Sequence, residues 1–183
     1  MGYPKFAAEN IRADFPDTDI EFINFGISGN RTDQLFDRIY PDAIAFDPDI
    51  ISILIGINDV WHRHGSANIA TTDAQVATNY RAILERLKKE THAKIVMLSP
   101  FLLDDEAKES WRGEVDRVIA IVRELADEFA DVYIPLDELF AEALKTQPEP
   151  RYYSGDAVHP NTNGAMFIGG KYAEAVKALI ESL

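Results

Sequence analysis

The chain of 183 residues has the length of a single domain. Its composition, 46% hydrophobic and 27% charged, supports a substantial core and excludes intrinsically disordered and collagen-like classes. Acidic residues outnumber basic ones by 31 to 18, and the net charge of -13 disfavours partners such as nucleic acid or an anionic membrane surface.

The first half of the chain alternates between predicted helices and strands. Residues 4–15 carry apolar side chains at helical spacing and predict a helix, and residues 19–25 are rich in β-forming side chains and predict a strand. A short helix is expected over residues 33–40, interrupted at Pro41. The apolar run of residues 49–55 shows little alternation, which is typical of a strand covered on both faces.

The second half repeats this alternation. Thr72 and Gln75 form a capping-box pattern ahead of a long helix. Two further strands are predicted at residues 94–98 and 132–136. Three further helices are predicted, at residues 109–130, 137–145 and 162–183. Strands that alternate with helices imply a parallel sheet between two helical layers, so we expect an open three-layer α/β/α sandwich.

The order of the elements is unusual because it begins with a helix. In a series of β–α–β units, an opening helix usually returns from an earlier strand, and doubly wound folds often place their first strand near the centre of the sheet. The pattern is that of a domain whose first strand precedes the sequence. The alternative is an N-terminal helix that packs on the edge of the sheet.

The cysteine count and the hydropathy of the chain limit its possible chemistry and its cellular location. The chain has no cysteine, which excludes disulfides, zinc–thiolate sites and a cysteine nucleophile. No apolar run approaches the roughly 20 residues that span a bilayer, so no membrane partner is expected. The first 15 residues lack the basic and apolar segments of an export signal. We therefore expect a cytoplasmic protein, provided that no preceding segment carries such a signal.

Three polar clusters stand at ends of predicted elements. They comprise residues 26–32, residues 56–62 and residues 155–161. In open α/β sheets, ligands bind at the carboxyl ends of the strands. We therefore expect the three clusters to meet at one edge of the sheet and to form a site there.

Asp156 and His159 are the strongest candidates for catalytic residues in these clusters. A carboxylate three residues before a histidine can turn back and accept the Nδ1 proton of the imidazole. This contact sets the tautomer and leaves Nε2 free as a general base. The alternative is a surface aspartate beside a histidine that caps the next helix.

Other residues of the clusters carry weaker signals. Gly29 allows its backbone N–H to approach a substrate closely, and Asn58 offers a side-chain N–H, so both could stabilise an oxyanion. Both residue types are also common in turns. Trp61 could line a substrate pocket or belong to the core. His62 and His64 have a metal-ligand spacing, but no further ligand pattern completes a site, so we expect no metal and no cofactor.

The segments GISGNRT, IGINDVW and DAVHPNTNG resemble three sequence blocks of the SGNH/GDSL serine esterases, in the same order. The resemblance covers the chain and is greatest to bacterial xylan-type acetylesterases. It implies a flavodoxin-like sheet and a lipolytic, Ser-His-Asp hydrolysis of short acyl esters, above all acetyl esters, of carbohydrates or small molecules. It also implies roles for four of these residues: His159 as base, Asp156 as its orienting partner, and Gly29 and Asn58 as oxyanion donors. Trp61 stays a candidate for substrate binding.

Ser28 and Asp59, which lie in the same blocks, are further candidates for substrate binding. The first block of the family, an apolar strand that ends in Gly-Asp-Ser, has no counterpart in this chain. The resemblance therefore implies a single SGNH-hydrolase-like domain over residues 1–183 that is truncated at its N-terminus and lacks its first central strand and its nucleophile. Ser28 is the nearest alternative nucleophile.

Three consequences are expected from the absence of that block. The chain as given should be nearly inactive. The exposed sheet edge should be covered by rearranged packing or by a homo-oligomer. A non-catalytic binding or structural module on the same fold is the alternative function. A flavin or nucleotide binder is disfavoured because no phosphate-binding glycine motif is present.

Overall fold

The sheet of this protein consists of three parallel strands. The computed structural model describes residues 2–65 and 71–183. Within them the strands stand in the order β1-β2-β3. They are β1 (Ile50–Leu54), β2 (Lys94–Leu98) and β3 (Val132–Ile134). Because the strands are parallel, their carboxyl ends lie at the same edge of the sheet.

Seven α-helices lie in the described part of the chain. They are α1 (Tyr3–Asp14), α2 (Thr32–Asp42), α3 (Ile57–His64), α4 (Asp73–Glu90), α5 (Arg112–Phe129), α6 (Leu136–Ala143) and α7 (Thr162–Glu181). Short 3-10 turns occur at Ile44–Phe46, Glu106–Trp111 and Pro150–Tyr152. None of these helices combines the length and the apolar character that a membrane span requires.

Two helical layers cover the sheet. On one side α1 packs closely along α7, where a Cβ added to Gly169 would lie only 2.7 Å from the Cβ of Phe6. On the other side α4 and α5 pack together through stripes of fully buried side chains. These are Val76, Tyr80, Ile83, Leu84, Leu87, Val115, Val118 and Val122. The predicted fold class, a parallel α/β sheet between helices, is confirmed.

Several local predictions are also confirmed. Strand β2 occupies the predicted residues 94–98. The capping box of α4 is formed as expected, since the Gln75 N–H donates to Thr72 Oγ1 at 3.2 Å and the Thr72 N–H donates to Gln75 Oε1 at 2.8 Å.

The strand predicted at residues 19–25 is wrong. This segment is irregular and pairs with no described strand. Ile23 is 51% exposed and Phe25 is 38% exposed. β-forming side chains alone do not make a strand, because a strand also needs a hydrogen-bonded neighbour and a surface on which to pack.

The expectation that the strand at residues 49–55 is covered on both faces is also wrong. Ile51 and Ile53 are buried on one face of β1, but Ser52 on the opposite face is exposed. Within the described residues β1 pairs only with β2, so it forms an edge of the sheet. Its less covered face meets α7, where the Ser52 hydroxyl contacts that of Tyr172.

Two helix predictions need correction as well. α2 is not interrupted at Pro41 but continues to Asp42, because a proline in the last turn removes a single backbone hydrogen bond. Residues 57–64, for which no helix was predicted, form α3. The helix predicted from residue 109 begins at Arg112, after a 3-10 turn.

Candidate active site

The three polar clusters meet at one edge of the molecule. Asn58, in the first turn of α3, donates from Nδ2 to the carbonyl oxygen of Asn30 at 3.1 Å. Trp61, one turn later on α3, places its ring centroid 5.5 Å from that of His159. The segment after β1 therefore joins the other two clusters, and the predicted convergence is observed.

His159 and Asp156 form the predicted pair. Nδ1 of the imidazole lies 2.7 Å from Oδ2 of the carboxylate, and the His159 backbone N–H donates to Oδ1 at 2.9 Å. An ionised carboxylate can only accept hydrogen bonds, so Nδ1 carries the proton and Nε2 carries a lone pair. The His159 side chain is half exposed, so Nε2 can be reached from solvent.

The same contacts keep Asp156 ionised. Partial burial by itself would raise the pKa of Asp156. The hydrogen bonds from the His159 imidazole and from the N–H groups of His159 and Val158 outweigh that effect and lower its pKa below the usual value. The carboxylate is therefore charged at neutral pH and favours the imidazolium that forms when Nε2 takes a proton.

The loop before α7 carries this pair, and hydrogen bonds and close packing fix its conformation. Ser154 donates from Oγ to the His159 carbonyl oxygen at 2.6 Å, and Asn161 caps α7 by accepting the Gly164 N–H at 3.1 Å. Gly164 lies so close to Tyr153 that an added Cβ would be 2.2 Å from its carbonyl oxygen. These contacts position the pair, and this role of Ser154 was not predicted from the sequence.

Gly29 and Asn58 present N–H groups at the neighbouring part of the edge. Gly29 has a φ of +85°, which favours glycine, and an added Cβ there would meet no atom within 4 Å. Its backbone N–H donates to no described residue. The Asn58 amide has two N–H groups, of which one donates to Asn30, so the other is available to a ligand.

Asp59 lies behind this edge rather than on it. Its side chain is fully buried and accepts the Thr32 N–H at 3.1 Å and the Thr32 hydroxyl at 2.8 Å. Burial raises the pKa of Asp59, although the two hydrogen bonds from Thr32 partly counteract it. Asp59 therefore ties the start of α2 to α3, and this geometry favours a positioning role over the predicted contact with substrate.

The described hydroxyl groups do not include a partner for His159 Nε2. Ser99 donates to Asp137 at 2.8 Å, and the Ser154 hydroxyl is engaged by the His159 carbonyl oxygen. Ser28 lies exposed in a turn closed by a hydrogen bond from the Asn30 N–H to Ile27 O at 3.3 Å. None of these serines hydrogen-bonds to the imidazole.

His64, one of the two histidines with metal-ligand spacing, makes other contacts. His64 donates from Nε2 to Glu114 at 3.0 Å, and its ring stacks on Trp111 with centroids 4.8 Å apart. Across residues 2–65 and 71–183, no three His, Asp or Glu side chains converge as metal ligands.

Two residues beside the site were missed from the sequence. Trp111 packs edge-to-face against Trp61, with centroids 5.1 Å apart. Lys108 places Nζ 5.4 Å from the Trp61 ring centroid and 5.6 Å from that of Trp111. Trp111 and Lys108 lie far from Trp61 in sequence, so no local pattern links them. The presence of only two tryptophans in the chain was the available signal.

A carboxylate-oriented histidine beside N–H donors, at the carboxyl edge of a parallel α/β sheet, is typical of hydrolases that act by acyl transfer. The family model described as GDSL-like lipase/acylhydrolase matches residues 1–166. The chain belongs to this family, whose activity is that of a carboxylic ester hydrolase.

Individual relatives agree with this assignment. An acetylxylan esterase from Geobacillus stearothermophilus is 30% identical over 178 residues, which are 96% of this chain and 80% of that protein. The crystal structure of a GDSL-like lipase from Parabacteroides merdae has a TM-score of 0.91 at 33% identity, covering 97% of this chain and 82% of that one.

A catalytic mutant of the Geobacillus stearothermophilus acetylxylan esterase, in which a serine is replaced by alanine, has also been solved. It has a TM-score of 0.85 at 28% identity and covers 95% of this chain and 80% of that one. This chain is therefore similar, over nearly all its length, to an esterase in which one serine is catalytic.

Proposed function

We propose that this protein removes short acyl groups, above all acetyl groups, from esters of carbohydrates or small molecules, with His159 as the general base. The observation that carries the proposal is the 2.7 Å contact between His159 Nδ1 and Asp156, which leaves Nε2 free to accept a proton. The similarity to acetylxylan esterases supports acetyl as the acyl group.

The proposed reaction has two half-reactions. A serine hydroxyl attacks the ester carbonyl carbon while Nε2 of His159 takes the hydroxyl proton. The oxyanion accepts hydrogen bonds from the Gly29 N–H and the Asn58 side chain. The ester C–O bond then breaks, and His159 returns the proton to the departing alcohol. Water, deprotonated by His159, attacks the acyl-serine, releases the carboxylic acid and regenerates the serine.

We place the nucleophilic serine on a fourth strand, which this sequence does not include and which would pair with the free edge of β1. The irregular segment at residues 19–25 supports this position, because Ile23 and Phe25 expose apolar surface that a further strand would bury. The absence of a described serine partner for His159 supports it as well. Without that strand we expect the chain to be nearly inactive.

The association of the chain without the fourth strand and its cellular location both stay predictions. Unpaired edge strands promote association, so we expect two copies to cover the edge of β1 when no further strand is bound. Light scattering of the purified chain measures this directly. The cytoplasmic location also stays a prediction.

A non-catalytic binding module on the same fold is the second candidate. It is favoured by one observation: none of the described serines hydrogen-bonds to the His159 imidazole. Such a module would bind an ester or a sugar at the same edge without cleaving it.

The test compares two extended chains that differ in one atom. Each carries, ahead of residue 1, an apolar strand that ends in Gly-Asp-Ser or in Gly-Asp-Ala. We expect the serine version to hydrolyse p-nitrophenyl acetate, whereas the alanine version and the unextended chain do so at trace rates. A folded serine version that is inert towards every short acyl ester would refute the esterase proposal and leave the binding module.

The position of the nucleophile is tested separately. If the unextended chain were as active as the serine version, and if Ser28→Ala abolished that activity, Ser28 would be the nucleophile and the fourth strand would be unnecessary.

A further inference from the structure

Both tryptophans of the protein lie beside the candidate base. The chain contains two tryptophans, Trp61 and Trp111, and their ring centroids are 5.1 Å apart. Trp61 also meets His159 edge-to-face at 5.5 Å. Behind Trp111, the His64 ring stacks at 4.8 Å and is held by Glu114. The pair is therefore backed by a fixed side chain and adjoins the imidazole that would transfer the proton.

Lys108 adds a positive charge to the two rings. Its Nζ lies within 5.6 Å of both indole centroids, in the range of cation–π contacts. The side chain is only 12% exposed, and its nearest carboxylate oxygen, on Asp105, is 3.6 Å from Nζ. Within residues 2–65 and 71–183, no atom accepts a hydrogen bond from Nζ, and a ligand oxygen would serve as an acceptor.

The cluster of Trp61, Trp111 and Lys108 lies next to His159, and this position indicates which part of the substrate it faces. In the proposed reaction, Gly29 and Asn58 hold the acyl oxygen, and His159 gives its proton to the departing alcohol. A group in contact with the His159 ring therefore lies near the alcohol. Trp61 is such a group, and Trp111 and Lys108 adjoin it.

We propose that Trp61, Trp111 and Lys108 form a subsite for the alcohol part of the ester and that this alcohol is a sugar. The apolar C–H groups of a sugar ring pack on indole rings. Its hydroxyl oxygens accept hydrogen bonds from the Lys108 ammonium group. A simple alkyl alcohol has no further hydroxyl groups and cannot make the second contact, so it would bind without this hydrogen bond. This inference rests on the proposed function for the position of the ester.

Tryptophan fluorescence is a direct probe of the subsite, because the chain has no tryptophan elsewhere. The unextended chain is titrated with acetylated xylo-oligosaccharides and, in parallel, with ethyl acetate, which carries the same acyl group on an alkyl alcohol. We expect a saturable change of emission with the sugar ester and at least about tenfold weaker binding of ethyl acetate. Equal binding of the two esters, or no emission change with the sugar ester, would overturn the inference.

Two variants and a matched control locate the binding. Lys108→Met keeps most of the side-chain length and removes the charge, and Trp111→Phe removes one indole while Trp61 still reports. Each should weaken binding of the sugar ester by about tenfold or more. Lys145→Met serves as control, because Lys145 is an exposed lysine that pairs with Glu142. Unchanged affinity in both site variants, with folding verified by circular dichroism, would contradict the subsite.

The outcomes separate this inference from the proposed function. A serine-extended chain that hydrolyses acetylated sugars and ethyl acetate with the same kcat/KM would refute the sugar subsite and leave the esterase intact. A chain that binds the sugar ester through Lys108 but hydrolyses nothing when extended would refute the esterase and leave the subsite.

Discussion

The carboxylate of Asp156 holds His159 at two points, 2.7 Å from the imidazole Nδ1 and 2.9 Å from the backbone nitrogen. The first contact sets the tautomer and the second sets the turn from which the ring projects. A single side chain thus controls both the chemistry and the direction of the candidate base.

Replacing this carboxylate should impair catalysis more than binding. In the serine-extended chain, Asp156→Asn should lower kcat for p-nitrophenyl acetate by about 10³- to 10⁴-fold, because an amide no longer favours the Nδ1-protonated tautomer or the imidazolium. KM should change little. A loss of less than about tenfold would show that Asp156 does not orient the base.

Asn58 should contribute to the transition state through its free N–H. We expect Asn58→Ala to lower kcat by about 10²- to 10³-fold with little change in KM, as for other single oxyanion donors. Asn58→Asp should be at least as impaired, because a carboxylate repels the developing oxyanion. Steady-state kinetics with p-nitrophenyl acetate check both variants, and an Asn58→Ala enzyme with unchanged kcat would remove Asn58 from the oxyanion site.

Asp59 should affect stability in a pH-dependent way. Asp59→Ala leaves the buried Thr32 N–H and hydroxyl without their acceptor and should lower the free energy of unfolding by about 1–3 kcal/mol. Asp59→Asn retains an acceptor and should cost less. The raised pKa of Asp59 means that the folded protein binds this proton more tightly than the unfolded chain does. Stability should therefore fall as pH rises from the ordinary aspartate pKa through the raised one.

Urea denaturation at several pH values measures this effect. The fall with rising pH should be reduced in Asp59→Asn, which has no carboxyl group to titrate. An equal fall in the two proteins would assign the pH dependence to other groups.

Two glycines near His159, Gly155 in its loop and Gly164 in the first turn of α7, provide a matched pair. A Cβ at Gly164 would lie 2.2 Å from Tyr153 O, whereas one at Gly155 would meet nothing within 4 Å. We expect Gly164→Ala to lower the free energy of unfolding by about 1–3 kcal/mol and to reduce esterase activity, because the loop must move. Gly155→Ala should be nearly neutral. Similar stabilities for the two variants would show that the loop is not held at Gly164.

Features that depend on contacts between residues close in sequence were predicted correctly. The start of α4 was predictable because Thr72 and Gln75 are three residues apart and make their contacts within one turn. Asp156 and His159 were predictable for the same reason.

Non-local contacts were not predictable in this way. Residues 19–25 have the composition of a strand, but whether they form one depends on a neighbour elsewhere in the chain. The packing of Trp111 and Lys108 around Trp61 likewise depends on how a distant 3-10 turn lies against α3. The burial of Asp59 required knowledge of where α2 begins.

The role of His159 as the base of an acyl-transfer reaction is tested by the rate of p-nitrophenyl acetate hydrolysis by the serine-extended chain with and without His159→Ala. We expect a loss of kcat of about 10⁶-fold, to the level that the remaining oxyanion donors and binding contacts support. A folded His159→Ala protein that keeps the rate of its parent would show that His159 is not the base.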